Sequence, residues 1–286
     1  GELNGLHLHL ANLNDFPKIK SLIGEIRPDY ILHLAAQSSV AESWNSPVVS
    51  FVNNTTIFLN IIEAVRLSDI PARVLSIGSS EQYGIVSAND LPLNEDNPQH
   101  PANPYAVARV AQEHLARVYA KGYGLDICCT RSFNHCGPGQ TDRFVASAIA
   151  KQFARISLGM QDPVIEIGDG TIVRDFLDVR DVIAAYALLL EKGVSGQVYN
   201  VCSGRGYAIG ELVTLLSDRL RIPVQIHQNP AKRRPLDNHQ IVGSNEKIRT
   251  ELGWQPNISL ADSLQEMSTY WKNRLLQERT GNRELI

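Results

Sequence analysis

The chain has 286 residues, 43% of them hydrophobic and 20% charged, with a formal net charge of -3. That length holds one large domain or two coupled ones. The balance is that of an ordinary soluble globular protein, and the charge provides no general attraction to nucleic acid or to an acidic membrane. Residues 1–10 read as a short strand, with His7 and His9 alternating with Leu6, Leu8 and Leu10 as on a half-buried edge. Residues 12–15 read as a turn into a first helix over 16–26. Strands are expected at 30–35, 74–78, 125–130, 176–179 and 198–201, and helices at 48–68, 104–120, 144–158, 182–191, 209–220 and 260–273. Apolar strands alternating with helical patterns predict an α/β fold, a doubly wound parallel sheet covered on both faces. No repeat or low-complexity segment interrupts the pattern.

Four cysteines, Cys128, Cys129, Cys136 and Cys202, lack zinc spacing, and no metal site is expected. Cys128 and Cys129 are adjacent on an expected strand, so they face opposite sides and are not expected to bridge. A reducing cytoplasm is the expected compartment. No run reads as long and apolar enough to span a bilayer, and no signal peptide is seen. In a dinucleotide-binding fold a strand, a glycine-rich turn and a helix come before a segment like 12–26. Neither G-x-x-G-x-x-G nor G-x-G-x-x-G occurs, so the expectation is a Rossmann-like fold read from after its first β-α-β unit.

The richest stretch is Asn103-Pro104-Tyr105-Ala106-Val107-Ala108-Arg109. Asn103 is a good N-cap and Pro104 fits the first helical position; Gly122 is expected to end the helix. Tyr105 and Arg109, four residues apart, share one helical face. A strand over 74–78 runs into Ser79-Ser80-Glu81. Tyrosine, a cation one turn on and a serine at a strand end form the layout of a hydride-transfer site in which a phenol moves a proton to or from a sugar oxygen.

These residues, in order, resemble the extended short-chain dehydrogenase/reductases that act on nucleotide-sugars, in the branch of the GDP-mannose 4,6-dehydratases and GDP-4-keto-6-deoxy-mannose reductases. The likeness runs from about residue 15 to about 271. It rests on His33-Leu34-Ala35-Ala36-Gln37-Ser38, Ser79-Ser80-Glu81-Gln82-Tyr83-Gly84, the tyrosine helix, and Arg131 through Gln140. It continues through Val173 to Asp181, Val198 to Gly204, Arg233-Arg234-Pro235, and Gly253-Trp254-Gln255-Pro256. Residues 133–140 match the F-N-H-x-G-P-G-Q of the reductases, whereas Glu81 stands where the dehydratases use a glutamate.

The resemblance implies a Rossmann-like part over 1–133 plus 171–202, a substrate-binding part over 134–170 plus 203–275, and a tail over 276–286. It implies Tyr105 as general acid, Ser79 as hydrogen-bond donor to the keto oxygen, Glu81 in the place of the glutamate that transfers protons in the dehydratases, and Arg109 in the place of the family lysine. NADP, with NAD as the alternative, would be held by Asn12, Leu34, Ala35, Ala36, Asn54, Tyr105 and Arg109. A GDP-sugar would be held by Ser38, Ser80, Asn134, Phe144, Val145, Lys151, Arg174, Arg234 and Asp237. Asn12, Ile57-Phe58 and Arg109 all depart from the family pattern on the cofactor side, and the substrate side departs less. A homodimer is implied, since relatives pair through helices that include the tyrosine helix. The alternatives are a dehydratase acting on GDP-mannose and a catalytically weak nucleotide-sugar-binding homologue.

Overall fold

A computed structural model describes residues 5–232 and 238–280. The elements begin with α1 (Phe16–Ile26), β1 (Tyr30–His33), α2 (Val40–Asn45), α3 (Pro47–Ser68), β2 (Arg73–Ser79), α4 (Pro104–Tyr123) and β3 (Ile127–Ser132). They continue with β4 (Asn134–Cys136), α5 (Val145–Ser157), β5 (Val164–Ile167), β6 (Val173–Asp178), α6 (Val179–Lys192), β7 (Val198–Val201) and β8 (Gly206–Ala208). Last come α7 (Ile209–Leu220), β9 (Gln225–Gln228), β10 (Gln240–Ile241), α8 (Glu246–Leu252) and α9 (Leu260–Thr280). Two compact units result: Gly1–Gln82 with Pro101–Thr130 and Leu189–Val198, and Tyr83–His100 with Arg131–Leu188 and Tyr199–Ile286. The expected division put 171–202 with the first part. Instead β6 falls in the second unit, because its partners β4, β8 and β10 lie there.

One sheet has the strand order β1-β2-β3-β7; the first unit holds β1, β2, β3 as far as Thr130 and Val198 of β7. β1 and β2 run parallel, with Tyr30 beside Arg73 and His33 beside Ser76. Parallel neighbours need a crossover, and α3 supplies it between β1 and β2. Asp15 caps α1 by accepting from Lys18 N at 3.2 Å, and Ile19 and Ile23 bury one face of that helix. The core joins them to Phe58, Ile61, Ile62 and Val65 of α3, Val74 of β2 and Ile127 of β3.

Three expectations need correction here. At 22 residues α3 is long and apolar enough to cross a membrane, contrary to the reading of the sequence; its second half, from Phe58 to Val65, is buried in this core. Leu6, Leu8 and Leu10 are 70%, 85% and 88% exposed and lie in coil. Their alternation with His7 and His9 thus marks no half-buried strand, since nothing among the described residues pairs with it. α4 runs past Gly122 to Tyr123 and stops at Gly124, whose φ of 71° is the left-handed conformation glycine adopts without strain.

In the second unit β6 is central: β10 and β4 flank it in parallel and β8 pairs with it antiparallel. β5 and β9 form a separate parallel pair. Phe153 of α5, Ile165 of β5, Leu212 and Leu216 of α7, and Leu264 and Trp271 of α9 make the core. α9 extends to Thr280, so the expected tail over 276–286 begins as helix.

Candidate active site

The N-terminus of α4 is built as the sequence predicts. Asn103 has extended backbone, and its Oδ1 accepts from Ala106 N at 2.8 Å. Its Nδ2 donates to Glu81 Oε2 at 2.9 Å. Glu81 N in turn donates to Ser79 Oγ at 3.3 Å. One line of hydrogen bonds therefore ties the end of β2 to the turn of α4 that carries Tyr105. Tyr105 is buried, and a phenol there faces the positive end of the helix dipole. The Arg109 guanidinium carbon lies 5.1 Å from the centroid of its ring, within range of a cation–π contact. Ser79, Glu81, Tyr105 and Arg109 are thus gathered in one unit. Ser80, beside them in sequence, is buried.

Two features of this region were not legible in the sequence. Gln82 closes the strand end from below: its Oε1 accepts from Ser79 N at 2.8 Å and its Nε2 donates to buried Glu113 at 2.7 Å. Gly78, one residue before the end of β2, has no room for a side chain. A Cβ there would lie 2.3 Å from Thr130 O and 2.4 Å from Gln82 Oε1, so only glycine allows this approach. Arg109, for its part, is no surface residue. It is 5% exposed, and its Nη1 donates to Gln112 Oε1 at 2.6 Å and to Ile77 O at 3.1 Å.

Buried polar atoms test whether a dinucleotide suits the first unit. His33 Nε2, Gln37 Oε1, Asn54 Oδ1 and Arg109 Nε are buried without a hydrogen-bond partner. Such atoms are costly to leave unpaired. They are linked: Asn54 Nδ2 donates to Gln37 O at 3.2 Å, and the charge of Arg109, after burial, helps hold the His33 imidazole down at about 4. The Phe58 ring, one turn from Asn54, lies 5.3 Å from that of His33. His33 is the last residue of β1 and Gln37 follows it, so the orphaned groups include the C-terminal end of a parallel strand, where open α/β sheets bind nucleotides. Leu34 is exposed and Ala35 and Ala36 are half-buried beside them. Asn12 is exposed and accepts from Asn14 N at 3.0 Å.

The second unit holds most of the expected sugar-nucleotide residues. Asn134, at the start of β4, donates to Asp175 O at 3.3 Å. After it the chain folds back: Gln140 N donates to Gly137 O and Gln140 Nε2 to His135 O at 2.8 Å. Both glycines of Gly137-Pro138-Gly139 are required. A Cβ on Gly137 would lie 2.5 Å from Val179 Cγ1, and Gly139 has φ of 92°. Gln140 O accepts from Ser147 Oγ, which accepts from Trp271 Nε1 at 2.9 Å, and this fixes the start of α5. Phe144 is the N-cap of that helix and Val145 its first residue, so its free amides suit a phosphate. Arg174 is buried on β6, with Nη1 donating to Val173 O. Asp175 beside it accepts from Ser203 N, Ser203 Oγ and Gly204 N, and burial still pushes its carboxyl up to about 6. Lys151 is bound to Asp142 at 2.7 Å and sits 4.7 Å over the Trp271 ring. Ser38, in the first unit, is exposed. Arg234 and Asp237 lie outside the described residues.

The sequence profile of the GDP-mannose 4,6 dehydratase family matches residues 2–267. The chain is 38% identical over 251 residues to a GDP-6-deoxy-D-mannose reductase of Pseudomonas aeruginosa, covering 88% of this chain and 83% of the relative. It is 26% identical to a GDP-mannose 4,6-dehydratase of Yersinia enterocolitica, over 91% of this chain and 77% of that one. Among solved structures, RMD from Pseudomonas aeruginosa complexed with NADPH superposes with a TM-score of 0.87 at 36% identity, over 93% of this chain and 87% of the other.

Proposed function

The chain belongs to the GDP-mannose 4,6 dehydratase family of extended short-chain dehydrogenase/reductases, and from that premise we propose that it is an NADPH-dependent reductase converting GDP-4-keto-6-deoxy-D-mannose to GDP-D-rhamnose. The observation that carries the reading is buried Tyr105 in the first turn of α4 with the Arg109 charge over its ring. The reductase-type segment from Phe133 to Gln140 and the 38% identity to a reductase favour that reaction over dehydration. NADPH, with NAD as the alternative, supplies the hydride when bound.

Tyr105 donates its hydroxyl proton to the C4 oxygen as negative charge builds there. Ser79 Oγ already accepts from Glu81 N, which leaves its own hydrogen to donate to the same oxygen. Arg109 provides a fixed positive charge beside the phenolate that Tyr105 becomes. A guanidinium does not deprotonate, so Tyr105 is recharged from water and not through Arg109. In the second unit Asn134, Arg174 and the amides at Phe144 and Val145 are the proposed contacts of the nucleotide-sugar. Glu81 is held by Asn103, which keeps dehydration of GDP-mannose as the second reading.

A cytoplasmic homodimer is proposed as well. Val48, Phe51 and Val52 of α3 and Val107 of α4 are exposed and, with Pro47 and Pro104, line one apolar hollow, a surface that favours burial against a second copy. The test of the activity is NADPH oxidation, followed by absorbance, on adding GDP-4-keto-6-deoxy-mannose, with GDP-mannose as control. Oxidation with the keto sugar alone supports the reductase; none, in a sample that still binds the nucleotide-sugar, refutes it.

A further inference from the structure

Arg109 is held by a residue that the reaction does not touch. Its Nη1 reaches Gln112 Oε1 at 2.6 Å and Ile77 O at 3.1 Å. Gln112 is itself anchored, with Nε2 donating to Ser76 Oγ at 2.8 Å and to Ile77 O at 3.2 Å. Gln112 is 1% and Ser76 2% exposed, so water does not compete for these bonds and they are strong. The two side chains stand at i and i+3 on α4 and are neighbours on its face. The guanidinium is thereby kept over Tyr105, while its Nε stays buried with no partner among the described residues. A lysine nitrogen lies where the arginine Cζ lies, one bond short of Nη1. It would leave Gln112 Oε1 unpaired.

We infer that Gln112 is the positioning residue that makes an arginine effective at position 109: anchored on the end of β2, its carboxamide takes up one arm of the guanidinium, fixes the charge over the Tyr105 ring and leaves the buried Nε as a donor for the dinucleotide. The inference rests on the reductase reading of the same site. Arg109 and Gln112 then act as a unit, and Arg109→Lys damages the site instead of restoring an ordinary one.

A substitution cycle on the full chain decides this, using Arg109→Lys, Gln112→Met and the pair. Three quantities are read: the NADPH dissociation constant by fluorescence titration, the KM values for NADPH and for the keto sugar, and the His33 ring titration by NMR. Each single substitution is expected to weaken NADPH about tenfold, and the double to be no weaker than the poorer single, as for coupled neighbours. KM for the keto sugar stays within about twofold, which a general loss of structure would not allow. In Gln112→Met the His33 titration moves up as the Arg109 charge leaves it. Losses that multiply in the double variant overturn the inference, as does a Gln112→Met protein with wild-type NADPH affinity and an unmoved His33. If Gln112→Met does not fold, Ser76→Ala removes only the far anchor. A smaller weakening in the same direction is then expected, and wild-type behaviour overturns the claim. A wild-type chain that binds no NADPH refutes the reductase reading, and the His33 titration then decides the role of Gln112 alone.

Discussion

Replacing Asn103 separates two jobs that one side chain performs. Its Oδ1 caps α4 through Ala106 N at 2.8 Å, and its Nδ2 holds Glu81 at 2.9 Å. Asn103→Ala removes both. The cap contributes about 1 kcal/mol and a hydrogen bond to a carboxylate about another 1 to 2 kcal/mol, for a total of roughly 2 to 3 kcal/mol. Asn103→Ser keeps an N-cap of equal quality but does not reach Glu81, so it loses about 1 to 2 kcal/mol. For 286 residues the unfolding entropy is about 0.6 kcal/mol per kelvin, which converts the alanine loss to a Tm decrease of roughly 4 °C. Differential scanning fluorimetry of the three proteins measures it, with kcat/KM taken on the same samples. Serine should fall between wild type and alanine in Tm, and alanine should lose more activity because Tyr105 rides on the capped turn. An alanine variant that melts with wild type, or a serine variant that melts below alanine, would refute the double role.

Tyr105→Phe should lower kcat by about 10² to 10⁴-fold, the usual worth of a positioned acid, while NADPH still quenches or transfers fluorescence as in the wild type; an unchanged kcat excludes Tyr105 as the proton donor. Gly78→Ala drives a Cβ to 2.3 Å from Thr130 O and should cost about 1 to 3 kcal/mol by overpacking, seen as an earlier urea midpoint; no change would mean β2 yields freely. His33 titrates at about 4 in the fold, below the ordinary 6.5, through burial and then Arg109. The unfolded chain therefore binds the proton first, so stability falls as pH drops from about 6.5 to about 4, by on the order of 3 kcal/mol, and then levels. His33→Phe should remove that part of the slope in pH-dependent melting; an identical slope would place the acid sensitivity elsewhere.

The tyrosine helix was legible because its signals are local. Asn103, Pro104 and the Tyr105–Arg109 spacing need only the helical period to be read. Its far end was misjudged, since Gly122 and Gly124 are equally good stops in sequence and only the bond to Tyr119 O selects the second. What could not be read are the pairings that fold distant segments together. The bonds of Gln82 to Glu113 and of Gln112 to Ser76 join residues 31 and 36 positions apart, and they follow from the packing of α4 on β2. The ion pair of Lys151 with Asp142 and its place over Trp271 are unreadable for the same reason, since those partners meet it only in the folded chain. The alternation in Leu6 to Leu10 carried a strand period with no sheet to receive it among the described residues.

The first unit is drawn from Gly1–Gln82, Pro101–Thr130 and Leu189–Val198, and this order sets a schedule for synthesis. Its β1 and β2 leave the ribosome early, yet the closing strand residue, Val198, is more than a hundred residues behind Gln82. At roughly 5–20 residues per second the wait is on the order of ten seconds. During it a parallel sheet, slow to form by nature, stands incomplete with the buried faces of Val74 and Ile62 lacking their final cover. Folding of the nascent chain, and its need for chaperones, should therefore be governed by the arrival of the Leu189–Val198 segment more than by the stability of the finished protein.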